Sequence, residues 1–286
     1  MGLERVGVVG CGLMGSGIAE VCARRGLGVV VIEGDEATSK AGRDRIEESL
    51  DQALRRGKLT DAARAEATAR LHYETDFDAL ADRQLVIEAV TEDEDAKVAI
   101  FRRLDEVVSA GDAILASNTS SIPIMKLATV TRRPESVIGM HFFNPVPVLP
   151  LVELVSSLMT SEETTRRASG VAEGILGKHV IHSQDRAGFV VNALLIPYIL
   201  SAVRMLESGF ASADDIDAGM VHGCAHPMGP LALADLIGLD TTKAVADSLY
   251  AEFKEPLYAP PPMLCRMVDA GLLGRKSGRG FHGYEK

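Results

Sequence analysis

The sequence predicts an α/β fold followed by an all-helical domain, and three observations carry that reading. A β-branched run, Val6-Gly7-Val8-Val9, breaks into Gly10-Cys11-Gly12-Leu13-Met14-Gly15 and resumes with helical spacing, which is the strand, phosphate loop and helix start of a dinucleotide site. Strand-like apolar runs then alternate with helical ones to about residue 183, as a parallel sheet with crossover helices requires. From Gly188 onward the strand signals stop and apolar residues recur at helical spacing. Residues 1–184 therefore read as a Rossmann-type nucleotide-binding domain with a helical hairpin insertion, and residues 185–286 as an all-α C-terminal domain.

Each glycine of the loop has its own task. Gly10 permits the tight turn, Gly12 lets the backbone approach a pyrophosphate, and Gly15 lets the helix lie close on the strand. The anion then meets unpaired N–H groups and the positive end of the helix dipole. A second strand over residues 29–32 ends in Glu33, 23 residues beyond Gly10. A carboxylate there accepts hydrogen bonds from an adenosine ribose and repels a 2′-phosphate, which selects NAD over NADP.

A formal net charge of −10 argues against nucleic acid or an anionic membrane as a partner, and an anionic ligand needs a locally basic site. Cys11, Cys22, Cys224 and Cys265 form no C-x-x-C pair, and no stretch reads as a secretory signal. This predicts a cytoplasmic protein without a disulfide framework or zinc ribbon. The longest apolar run, residues 189–203, is interrupted by Asn192, Pro197 and Ser201 and falls short of the about 20 residues of a membrane span.

Taken in order, the first helix, residues 12–25, presents Met14, Ile18, Ala19 and Cys22 to the sheet. A polar helix from Glu36, carrying Ala37, Ala41, Ile46, Leu50 and Leu54, ends at Arg55-Arg56-Gly57-Lys58. Thr60 caps a second helix through Leu71, so residues 36–71 form a helical hairpin. Its basic tip either offsets the helix dipole or meets an anion. A third strand is expected at residues 85–90, then an acidic helix start at Glu92-Asp93-Glu94-Asp95 and a helix carrying Val98, Phe101, Leu104 and Val108. A fourth strand, residues 113–116, runs into Ser117-Asn118-Thr119-Ser120-Ser121. Small hydrogen-bonding residues at the carboxyl end of a strand sit where open α/β sheets bind ligands.

Strands at residues 137–143 and 151–155, separated by Asn144-Pro145-Val146-Pro147, bring His141 back towards Glu153. A carboxylate beside an imidazole orients it and stabilises its protonated form, as a general base requires. A helix over 161–176 closed by Gly177 and a strand at 179–183 complete the first domain, and Gln184-Asp185-Arg186 is a polar linker. Helices follow at 189–207, from a cap at Ser212 to about 221, at 231–237, 241–249 and 262–270. His222-Gly223-Cys224-Ala225-His226 reads as a loop between helices, and no metal is expected. Leu194, Leu195, Ile196, Leu231, Leu233 and Leu236 carry more apolar surface than such a domain readily buries alone, which predicts a homodimer.

These motifs resemble those of the 3-hydroxyacyl-CoA dehydrogenases, and most closely the stand-alone bacterial 3-hydroxybutyryl-CoA dehydrogenases. The resemblance covers essentially the whole chain, through the glycine loop, Ser117 to Ser121, His141-Phe142-Phe143-Asn144-Pro145, Gly188-Phe189-Val190-Val191-Asn192, Pro227-Met228-Gly229-Pro230 and Gly274-Arg275-Lys276-Ser277-Gly278. It implies an NAD-dependent enzyme of fatty acid metabolism that interconverts a 3-hydroxyacyl-CoA and a 3-ketoacyl-CoA. By this resemblance His141 is the catalytic base, Glu153 its partner, and Ser120 and Asn192 the groups around the reacting oxygen. Asn192 lies just beyond the linker, so the resemblance places the active site between the two domains, the second serving substrate binding and dimerisation. NAD is implied to lie along Gly10, Gly12, Leu13, Met14 and Gly15, with Glu33 on the ribose and Glu92, Lys97, Ser120, Asn144 and Lys276 around the rest. Ser49, Arg56, Lys58 and Ser120 are implied to meet the coenzyme A thioester.

Two positions depart from the family pattern: Glu33 stands where Asp is usual, and Cys11 where glycine is common. Glu33 still reaches both ribose hydroxyls, and Cys11 is neutral if its backbone angles are ordinary. Two other readings fit the architecture. A dehydrogenase of a sugar acid such as gulonate would keep the glycine loop and the His141–Glu153 pair but has no use for a basic tip, and a non-catalytic NAD-binding protein would tolerate loss of the pair.

Overall fold

The computed structural model describes residues 2–284, so the expected outer limits of the domains, residues 1 and 286, lie outside the described residues. Two compact units meet in sequence at Arg186 and Ala187. The first unit runs β1 (Arg5–Val9), α1 (Leu13–Arg24), β2 (Gly28–Ile32), α2 (Glu36–Arg55), α3 (Asp61–Ala69), β3 (Leu71–Glu74), β4 (Leu85–Glu88), α4 (Glu94–Val107), β5 (Ile114–Ser117), α5 (Ile124–Ala128), β6 (Val137–Phe142), β7 (Leu151–Ser156), α6 (Glu162–Ser169) and β8 (His179–Gln184). The sheet order is β3-β2-β1-β4-β5-β6-β7-β8. All neighbours are parallel except β6 and β7. The chain leaves β1 outward through β2 and β3 and returns to β4 on the other side of β1, which opens the crevice where such sheets hold ligands.

The central strands are buried throughout, as β-branched runs covered on both faces must be. On α1, Ile18, Ala19 and Cys22 are fully buried, and each large apolar side chain removed from water contributes about 1.5–3 kcal/mol. Asp35 caps α2, accepting from the Thr38 N–H at 2.8 Å, and Thr60 caps α3, accepting from Ala63 at 3.2 Å. Of the apolar residues that α2 carries, Ala37 and Ala41 are exposed, while Ile46 and Leu50 are buried together with Ser39 and Gly42. The reason is Cys11: a Cβ on Gly42 would come within 2.6 Å of the Cys11 side chain, so glycine is what lets α2 approach the loop.

Leu71 does not extend the hairpin but begins β3, and the strand expected as third is β4. Four residues at the edge of a sheet, Leu71 buried and Tyr73 partly buried against exposed His72 and Glu74, carry too short an alternation to outweigh the helical run before them. The helix expected over 161–176 is α-helical only as α6 and continues as a π-helix, Gly170–Ile175. The segment read as a linker is fastened to the first unit, since the Asp185 carboxylate accepts from the Ile124 and Met125 N–H groups, both at 2.8 Å.

The second unit contains α7 (Val191–Glu207), α8 (Ala213–Cys224), α9 (Pro230–Ile237), α10 (Leu239–Phe253) and α11 (Pro262–Asp269). Two buried carboxylates organise it. Asp217 accepts from the Leu231 and Ala232 N–H groups at the start of α9, and Asp235 from those of Phe281 and His282. A Cβ on Gly229 would meet Asp217 at 2.3 Å and one on Gly280 would meet Asp235 at 1.8 Å, so both positions exclude a side chain. His222 and Cys224 belong to α8 rather than to a loop, because the helix runs on until Ala225 takes a left-handed conformation. Of the leucines and isoleucine counted as surplus, Ile196 and Leu231 are core, whereas Leu194 is 72% and Leu236 50% exposed. Among the described residues no helix is long and apolar enough to cross a membrane.

Candidate active site

The loop between β1 and α1 is held by backbone geometry. Gly10 has φ +89°, and a Cβ there would lie 2.9 Å from the Ala89 carbonyl oxygen; at Gly15 it would lie 1.8 Å from the Gly10 oxygen. Gly12, which caps α1 without a side-chain hydrogen bond, faces open space. Its lack of a side chain therefore serves nothing inside the protein and leaves the helix N-terminus open to an anion. Leu13 is 63% exposed and Met14 partly buried beside this opening. The Glu33 carboxylate, at the end of β2, accepts from the Cys11 N–H. Cys11 has no positive φ, its side chain is buried, and burial followed by the negative Glu33 pushes its thiol up to about 12.

A buried polar network lies at the ends of β4 and β5. Lys97 on α4, 1% exposed, donates to Glu88 Oε1 at 2.6 Å and pairs with Glu92 Oε2 at 3.4 Å. Glu88 also accepts from Ser117 Oγ and the Val90 N–H. Glu92 Oε1 in turn accepts from Thr119 Oγ1 at 2.6 Å, from the Ser120 N–H at 2.8 Å and Oγ at 3.1 Å, and from Ser121. Partial burial alone would raise the Glu92 carboxyl, but the Lys97 charge and these hydrogen bonds hold it below its ordinary value. Lys97 thus acts through the carboxylates that shape the Ser120 loop. Ser117 belongs to the polar run expected at this strand end, whereas Glu88 is not singled out by the sequence reading, although a carboxylate ending the apolar run Leu85-Val86-Ile87 is the available signal.

His141 and Glu153 face each other by register in the antiparallel β6–β7 pair. His141 Nδ1 lies 2.7 Å from Glu153 Oε2, with the imidazole 6% and the carboxylate 0% exposed as residues. The Phe143 ring packs on the imidazole at 4.6 Å. Asn118 Oδ1 accepts from the Phe142 N–H at 2.9 Å, tying the serine loop to this strand end. Asn144 follows as an exposed residue.

Ser49, Arg56 and Lys58 converge on one pocket of about 160 Å³, together with Glu20, Arg24, Pro147 and Val148. Arg55 is turned to Glu48, at 2.6 Å. Arg24 was missed because it reads simply as the basic last turn of α1.

Residues 5–186 match the family described as 3-hydroxyacyl-CoA dehydrogenase, NAD binding domain, and residues 188–284 match 3-hydroxyacyl-CoA dehydrogenase, C-terminal domain. The chain belongs to the 3-hydroxyacyl-CoA dehydrogenase family. It is 59% identical over 282 residues to a 3-hydroxybutyryl-CoA dehydrogenase of Mycobacterium tuberculosis, covering 99% of each chain. The crystal structure of M. tuberculosis FadB2 matches with a TM-score of 0.99 at 58% identity, and that of (S)-3-hydroxybutyryl-CoA dehydrogenase PaaH1 from Ralstonia eutropha with 0.95 at 48%, each over 100% of both chains. Membership makes the chain an NAD-dependent dehydrogenase, and the open helix N-terminus at Gly12 with Glu33 beside it fits that cofactor. In the second unit of this family member, Asn192 is a partly buried residue in the first turn of α7, and Lys276 is steadied by Asp240 Oδ2 at 2.6 Å.

Proposed function

We propose that this dehydrogenase interconverts short-chain 3-hydroxyacyl-CoA, 3-hydroxybutyryl-CoA in particular, and the 3-ketoacyl-CoA, with His141 moving the proton and Glu153 orienting it. The observation that carries this reading is the 2.7 Å contact between His141 Nδ1 and Glu153 Oε2 on adjoining strands. With Nδ1 on the carboxylate, Nε2 takes the proton of the 3-hydroxyl, and Glu153 stabilises the imidazolium that forms. NAD, when bound, supplies the hydride acceptor. Ser120, fixed by Glu92, and Asn192 hold the reacting oxygen. In the reverse direction the imidazolium returns the proton to that oxygen. Gly10, Gly12, Leu13, Met14, Gly15, Glu33, Asn144 and Lys276 hold the cofactor, and Ser49, Arg56 and Lys58 the coenzyme A. The exposed Leu194 and Leu236 support a homodimer through the helical unit, read out by light scattering at micromolar concentration, and the protein is assigned to the cytoplasm.

The test is oxidation of NADH with acetoacetyl-CoA against a panel of free keto acids. Turnover confined to the thioester is expected. Preference for a free acid would favour the sugar-acid reading, and no turnover of any of them would favour a non-catalytic role.

A further inference from the structure

Beside the Ser49 pocket, and sharing Arg24, Pro147 and Val148 with it, lies a larger cavity of about 410 Å³. Its other lining residues include Arg25 and Lys178 among apolar neighbours such as Leu59, Pro150 and Leu176. The two hollows together are lined by five cationic side chains, Arg24, Arg25, Lys178, Arg56 and Lys58, against one carboxylate, Glu20, on a chain whose net charge is −10.

The cations have different duties. Lys178 is 9% exposed, and its ammonium donates to the Val146 and Leu149 carbonyl oxygens at 2.6 and 2.7 Å, so it fastens the loop that leaves His141. Burial, followed by the charges of Arg25 and Arg24, lowers its pKa. Arg24 is steadied by Glu20 Oε1 at 3.0 Å, while Glu20 Oε2, itself buried, has no hydrogen-bond partner among the described residues. Arg25 makes no side-chain hydrogen bond or ion pair among the described residues. Its guanidinium lies over Gly177, where a Cβ would meet Nη2 at 2.6 Å. Gly177 thus gives the guanidinium its place in the wall of the cavity. Three cations line the larger cavity, and Glu20, which pairs with Arg24 from the neighbouring pocket, offsets only one of them, which leaves positive charge that an anion would neutralise.

We propose that this cavity is a second phosphate station for the substrate, in which Arg25 and Arg24 hold a phosphate of the 3′-phospho-ADP end of coenzyme A while Ser49, Arg56 and Lys58 hold another. Coenzyme A carries phosphate at two places on that end, the pyrophosphate and the 3′-phosphate, and the adjoining hollows offer two cationic stations that share Arg24. The wall residues Pro147 and Val148 lie six and seven residues after His141, within about 25 Å of extended chain, so a ligand seated here can present its acyl end to the imidazole. The proposal rests on the reading that the substrate is a coenzyme A thioester.

The test compares the full-length parent with Arg25→Ala and Arg25→Glu, which break no side-chain hydrogen bond or ion pair among the described residues, and uses acetoacetyl-CoA and acetoacetyl-pantetheine as paired substrates. For acetoacetyl-CoA at low salt, KM should rise roughly 3- to 10-fold in Arg25→Ala and further in Arg25→Glu, with kcat held and the effect fading as salt is added. For acetoacetyl-pantetheine, which lacks the phosphates, the ratio of variant to parent KM should stay near one. Adenosine 3′,5′-bisphosphate should compete with acetoacetyl-CoA and lose affinity in both variants. Unchanged KM for acetoacetyl-CoA in both variants overturns the proposal, as does inhibition by inorganic phosphate that is sensitive to Arg25 but not competitive with the thioester, which would mark a site for a free anion. A parent that does not turn over acetoacetyl-CoA at all would instead overturn the underlying reading of the substrate.

Discussion

His141 and Glu153 are held by a strand ladder, whereas Arg56 and Lys58 reach their pocket from the end of a helix on long side chains that are largely exposed. In the first region the backbone sets the distance and water is excluded, so the pair cannot adjust when one member changes. In the second, several cations line one pocket in screened solvent, so on the proposed reading the loss of one is partly covered by the others. Local rigidity and burial, more than charge itself, set how much a single side chain matters.

The sharpest way to break this contrast is at the ladder. His141→Gln should lower kcat by roughly 10²- to 10⁴-fold with NADH binding little changed, as for a lost proton-transfer group. Glu153→Gln should also be severe, because it removes the charge that stabilises the imidazolium. Near-normal turnover in both would refute the pair as the proton-transfer unit. A large effect is also expected at Glu33, whose carboxylate would face a 2′-phosphate: kcat/KM should favour NADH over NADPH by about 10² or more, and Glu33→Gln should narrow the gap. Equal values for the two cofactors in the parent would remove Glu33 from that role.

Intermediate effects fall on Glu92, which mixes both regimes. Its carboxyl is held below its ordinary value in the folded protein, so its stabilisation is present above the unfolded carboxylate pKa and is lost as pH falls through the lower, folded one. Glu92→Gln should therefore unfold with a weaker dependence on acid than the parent. An unaltered acid-unfolding curve would show that Lys97 and the Ser120 loop do not depend on that charge. At the exposed pocket, Arg56→Ala with Lys58→Ala should raise KM for acetoacetyl-CoA roughly 3- to 30-fold at low salt, less at high salt, with NADH affinity unchanged. Parent-like kinetics at low salt would reduce the tip to a helix end. The smallest perturbation is chemical: exposed Cys224 should react with a thiol-alkylating agent in the folded protein, while Cys11 and Cys22, buried and pushed to about 12, should react only on unfolding. Mass spectrometry of the alkylated protein checks this.

The local patterns already contained the strand, glycine loop and helix of the cofactor site, the run of small polar residues after β5, and the change to helices after Gly188. Each is a short-range signal, written in periodicity and in residues that only one backbone conformation suits. His141 and Glu153 could be paired from sequence because only a short return separates their strands. What needed the tertiary structure was everything set by contacts between distant segments. The edge strand β3 depends on β2 being in place beside it. The burial of Gly42 follows from where Cys11 lies. Lys97 became a buried anchor because Glu88 and Ser117, 9 and 20 residues away in the chain, end strands beside it. Arg24 joined the pocket of Ser49 only because α1, α2 and the loop after β6 pack together. A residue's chemical type is local information, but its partners and its burial are properties of the packed chain, and these decide what that chemistry does.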